Sequence, residues 1–81
     1  MKIILTAFNY KMTSKVMDVP EKTDWRFDMV LTAPIHAVTG FSGDKIGEIA
    51  ALNTLCTFEW MGKMDMETGA RIYVLSGISK V

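Results

Sequence analysis

Trp25-Arg26-Phe27-Asp28-Met29-Val30-Leu31-Thr32 decides the fold. Trp25, Phe27, Met29 and Leu31 alternate with Arg26, Asp28, Val30 and Thr32, an apolar–polar period of two. In an extended chain successive side chains point to opposite faces, so this stretch reads as a half-buried β-strand.

The same reading extends outward. Lys2 to Phe8 is an apolar, β-branched run and is expected to be the first strand. Asn9-Tyr10-Lys11 has the length of a tight connection, and a second strand is expected over Met12 to Val19. Pro20 lacks an amide donor and opens a polar turn before Trp25. Pro34 ends the third strand or places it at an edge. Toward the C-terminus, Thr54 to Met61 alternates with Cys56, Phe58 and Trp60 on one face. Lys63 to Gly69 reads as a hairpin loop, with Gly69 free to take a positive φ. Ala70 to Leu75 returns as a strand, Gly77 closes it, and Ile78 to Val81 is a tail.

The middle has two readings. Ile35 to Phe41 fits a short strand, followed by a turn at Gly40, Gly43 and Asp44. From there, Asp44 to Asn53 is a capped helix, or Lys45 to Ile49 is a short strand followed by a loop. Gly47 opposes the helix and Glu48-Ile49-Ala50-Ala51-Leu52 favours it. The expected fold is mainly β, a small antiparallel barrel or sandwich of five to seven short strands. The alternative is an α+β fold with one helix at about 44–53.

The chain has 81 residues, enough for one domain spanning 1–81. Hydrophobic residues make up 49% of it, in a domain whose size leaves much of its surface in water. Part of that apolar content is expected in an interface between proteins. Leu5, Phe27, Met29, Phe58, Trp60 and Ile72 fall on the regular alternations and are the expected core. Nine basic residues balance nine acidic ones, so the basic footprint of a phosphate-backbone binder is absent. Ile3 to Phe8 is too short for a signal-peptide core or a membrane span, and no membrane partner is expected.

Little chemistry is legible. Cys56 is the single cysteine, lies between apolar neighbours, and is expected to be buried and unreactive in a reducing cytoplasm. His36 is the single histidine; it and Cys56 belong to no ligand pair of recognisable spacing, so no metal and no cofactor are expected. No nucleophile–base pairing is evident, and the expectation is a protein that is not an enzyme.

Three binding chemistries remain. Met64 and Met66 sit in the expected hairpin loop beside Lys63, where a solvated turn has no need of thioethers. Unbranched, polarisable side chains suit an adaptable protein contact, and Met64, Met66, Lys63 and Phe41 are the candidate partner-binding residues. The expected form of such a protein is an inhibitor or adaptor of a larger complex, and a homo-oligomer. The alternative is a small ligand such as a nucleotide, held at a subunit interface by Gly40, Ser42, Gly43 and Lys45, although the spacing is not that of a phosphate loop. A third reading is an oligonucleotide-binding barrel that stacks bases on Phe41, Trp60 and Tyr73 beside Lys45, Lys63 and Arg71.

Overall fold

The structure, a computed structural model, describes residues 1–7, 12–21, 25–31, 40–41 and 52–81. Six strands follow in order: β1 (Lys2–Ala7), β2 (Met12–Thr13), β3 (Met17–Asp18), β4 (Arg26–Val30), β5 (Thr54–Met64) and β6 (Arg71–Lys80). Strand covers 64% of the described residues and none of them is helical, so the mainly β reading holds. The alternatives for 44–53 lie outside the described residues apart from Leu52 and Asn53, which form a turn. Of the strand expected over Ile35 to Phe41 only Gly40 and Phe41 are described, neither of them in a strand. Among the described residues no helix is long and apolar enough to cross a membrane.

All six strands join one sheet in the order β2-β1-β6-β5-β4, with β3 also paired to β1. The sheet is not closed into a barrel. Nor is it antiparallel throughout, which corrects the expected topology. β1 runs parallel to β6, pairing Ile3 with Arg71 and Leu5 with Tyr73. A parallel pair needs a long crossover between its strands, and the whole middle of the chain is available to supply it.

The strand expected over Met12 to Val19 is split by a bulge. Thr13 pairs with Thr6, whereas Met17 pairs with Ile3, so β2 and β3 are one residue out of register with each other along β1. Ser14 fills the gap. Its backbone N–H donates to the Leu5 carbonyl at 2.8 Å, and its hydroxyl accepts the Leu5 N–H at 2.7 Å. A side-chain oxygen thus replaces a ladder carbonyl, and Lys15 and Val16 are both turned to solvent.

β5 and β6 form the antiparallel centre of the sheet. The expected tail after Gly77 is strand as far as Lys80. Gly77 pairs with Thr57, Ser79 with Leu55 and Lys80 with Thr54. A one-residue register shift at Ser76 absorbs the irregularity that the glycine signalled. Antiparallel β4 completes the sheet, with Phe27 opposite Phe58 and Met29 opposite Cys56.

One face of the sheet carries the core: Ile3, Leu5, Ala7, Leu31, Phe41, Cys56, Phe58 and Tyr73. Phe27, Met29, Trp60 and Leu75 pack against it half-buried. Phe27 meets Tyr73 edge-on at 6.4 Å between ring centroids, and Phe41 meets Phe58 at 6.3 Å. Of the expected core, Leu5 and Phe58 are fully buried. Ile72 is corrected. The β6 residue that faces inward is Tyr73, because the β5 register sets Tyr73 opposite Trp60 and Leu75 opposite Phe58. A one-residue change of parity moves a side chain to the other face, and Ile72 is on that second face.

Candidate functional site

β5 outruns its core. Thr54, Cys56 and Phe58 are buried, and from Met61 onward every residue of the strand is exposed. The change coincides with a second irregularity. Trp60 pairs with Tyr73 and Met64 with Arg71, so Met61, Gly62 and Lys63 together stand opposite Ile72. Gly62 has φ +80°, a conformation that strains any residue with a Cβ. The bulge is tied by a side chain, as the Trp60 indole Nε1–H donates to the Lys63 carbonyl at 2.8 Å.

The same indole organises an aromatic and cationic stack. Trp25 lies 4.7 Å from it between ring centroids, at an interplanar angle of 24°. The Trp60 backbone N–H donates to the Trp25 carbonyl at 2.8 Å, which sets Trp25, just before β4, beside Trp60 on β5. The Arg71 guanidinium lies over the Trp60 ring, 4.3 Å from its centroid. Beside the stack, Arg26 and Glu59 face each other directly across β4 and β5 and form an exposed ion pair at 3.4 Å. Such a pair adds little stability.

The loop joining β5 to β6 is held by its own hydrogen bonds. The Asp65 N–H donates to the Ala70 carbonyl, and the Gly69 N–H to the Asp65 carbonyl, both at 2.8 Å. The Asp65 carboxylate accepts from the Thr68 hydroxyl at 2.6 Å and from the Thr68 N–H at 3.1 Å. Gly69 takes the left-handed conformation expected of it, at φ +72°. This loop presents Met66 98% exposed. It begins after Met64, so Lys63 and Met64, expected in it, belong to β5, where Met61 is 61% and Met64 53% exposed. Trp25, just before β4, is 60% exposed.

Met64, Met66 and Lys63 therefore stand together at the hairpin end. Phe41 does not join them; at 6% exposure it is part of the core. Of the stacking set, Trp60, Lys63 and Arg71 come together, whereas Phe41 and Tyr73 are buried. Lys45 lies outside the described residues, as do Ser42 and Gly43. Gly40 is described and has φ +72°, with the Lys15 side chain against it.

Trp25 and Met61 belong to the surface and were not legible as such. The alternation of the third strand places Trp25 inward with Phe27, but it sits one residue before β4 begins and lies over Trp60. Gly62 within an apolar run was the available signal for Met61, since an interior glycine marks a bulge. Among the described residues no group of three or more His, Cys, Asp or Glu is placed to hold a metal ion, and His36 lies outside them. Cys56 is buried, and that burial pushes its thiol pKa up. No protein family, curated protein or solved structure matches this chain.

Proposed function

We propose that this protein is a non-enzymatic binding protein acting by protein–protein contact, with the β5–β6 hairpin end as its contact surface. The observation that carries the reading is Met66, held almost wholly in water by a hydrogen-bonded loop. Met61 and Met64 on β5 and Trp25, stacked on Trp60, are exposed as well. Contiguous exposed apolar surface marks an interaction site, and methionine and tryptophan are among the residues enriched at interfaces.

The first occupant of this surface is a second copy of the chain. Lys63 and Arg71 at the hairpin end are matched by Asp65 and Glu67. A two-fold axis through the patch brings unlike charges together, as an isologous contact requires. An inhibitor or adaptor of a larger complex is the concrete form of such a contact protein. Sedimentation over a concentration series tests the reading. Wild type should associate, and Met64→Asp combined with Met66→Asp should dissociate without loss of sheet structure. A strict monomer at high concentration, or a double variant that associates as wild type does, overturns it.

The Trp25–Trp60–Arg71 stack favours one second reading, a single-stranded nucleic acid stacking on the exposed Trp25 ring beside Lys63. The balanced charge and the burial of Phe41 and Tyr73 stand against it. Retention of an oligonucleotide that falls steeply with salt would favour this reading. Of the residues of the nucleotide reading, Gly40, Ser42, Gly43 and Lys45, only Gly40 is among the described residues.

A further inference from the structure

Among the residues whose side chains the structure describes, sulfur falls into two groups. Cys56, Met1, Met17 and Met29 are buried in the core or packed against it. Met61, Met64 and Met66 project into water from a single stretch of six residues. Oxidation of a thioether depends on whether an oxidant reaches the sulfur, and oxidation of a cysteine requires an accessible thiolate. Burial denies Cys56 both conditions. Among the sulfur-bearing side chains that the structure describes, those most open to solvent are therefore concentrated on the proposed contact surface.

We propose that Met61, Met64 and Met66 are peroxide-oxidation sites, and that their oxidation switches off the hairpin-end contact. A thioether sulfur attacks one oxygen of hydrogen peroxide. The O–O bond breaks, an S–O bond forms, and the departing hydroxide takes the remaining proton to leave as water. Sulfur is oxidised by two electrons and the peroxide is reduced by two. The product sulfoxide is polar, so the side chain no longer favours an apolar partner.

The hairpin keeps its shape through this change. Its loop is closed by Asp65, Thr68, Gly69 and Ala70, and its bulge by the Trp60 indole and the Lys63 carbonyl. No methionine side chain takes part in those bonds. Oxidation thus acts on the contact and leaves the fold in place.

The inference rests on the proposed contact surface, and the test separates the two. The full chain is treated with hydrogen peroxide, mapped by peptide mass spectrometry, and compared with untreated protein by circular dichroism and sedimentation. Oxygen should be gained first at Met66, then at Met61 and Met64, with the half-buried Met17 and Met29 reacting later and Cys56 spared until the fold is denatured. The sheet spectrum should persist while self-association weakens by about tenfold or more. A variant with Met61→Leu, Met64→Leu and Met66→Leu keeps the apolar surface without its sulfur, and should associate equally before and after peroxide. Early oxidation at Met17, Met29 or Cys56, loss of the fold, or undiminished association of the oxidised protein overturns the switch. If Met64→Asp with Met66→Asp dissociates while oxidised wild type does not, the contact surface stands and the switch alone fails. If neither treatment changes association, both fall.

Discussion

The indole of Trp60 donates to the Lys63 carbonyl at 2.8 Å, so the ring that stacks on Trp25 also fixes the three-residue bulge that turns β5 outward. Packing at the edge of the core and the shape of the exposed hairpin end are thereby coupled through one side chain. Trp60→Phe keeps an aromatic ring and removes the donor. It should cost about 1 kcal/mol, the usual net worth of one such bond. Hydrogen exchange should quicken at Met61 and Lys63 more than at Cys56. Unchanged protection there would show that the bulge does not depend on the indole.

Phe58 lies at the centre of the core, whereas Phe27 on β4 is half-buried. Phe58→Ala should cost about 3–5 kcal/mol, a large part of a small domain's total stability of about 5–15 kcal/mol. Phe27→Ala should cost distinctly less, since its site is already partly open to water. Denaturant unfolding of the two variants checks the order, and equal losses would contradict the burial assigned to each.

Ser14 holds the bulge between β2 and β3 against β1 by accepting the Leu5 N–H. Ser14→Ala leaves that buried amide without its acceptor and should cost about 1–3 kcal/mol, with Ser14→Thr restoring most of it. A neutral Ser14→Ala would mean that another acceptor takes the amide.

Burial raises the Cys56 pKa above its ordinary value. Below the unfolded thiol's pKa, about 8.5, folded and unfolded chains both keep the proton and stability does not vary with pH on this account. Above it the unfolded chain loses the proton first, so stability falls with rising pH until the folded thiol ionises as well. Wild type should therefore lose stability more steeply above about pH 8.5 than Cys56→Ala does. Native protein should also resist thiol reagents at neutral pH. Parallel stability curves, or labelling at the rate of a free thiol, would contradict the burial.

The strands at 26–30 and 54–61 were legible because each buries one face and exposes the other, which leaves a period of two in the residue types. The parallel β1–β6 pair was not legible, because pairing of distant strands leaves no local mark on either of them. Tyr73 and Ile72 show a related difficulty. In Arg71-Ile72-Tyr73-Val74 both alternating sets are partly apolar, and only the register with β5 decides which faces the core. At the hairpin end, Met64 and Met66 stood out as thioethers in a polar loop. Trp25 did not, since an aromatic at a strand start reads as core until the strand is seen to begin one residue later.

The contact surface itself is tested most directly by the methionine methyl groups. In protein labelled with ¹³C at those methyls, NMR spectra are taken across a concentration series. The account predicts that the resonances of Met61, Met64 and Met66 shift and broaden together as concentration rises, while those of the core-packed Met17 and Met29 hold still. Methyl spectra that do not change with concentration, or changes confined to Met17 and Met29, would contradict it.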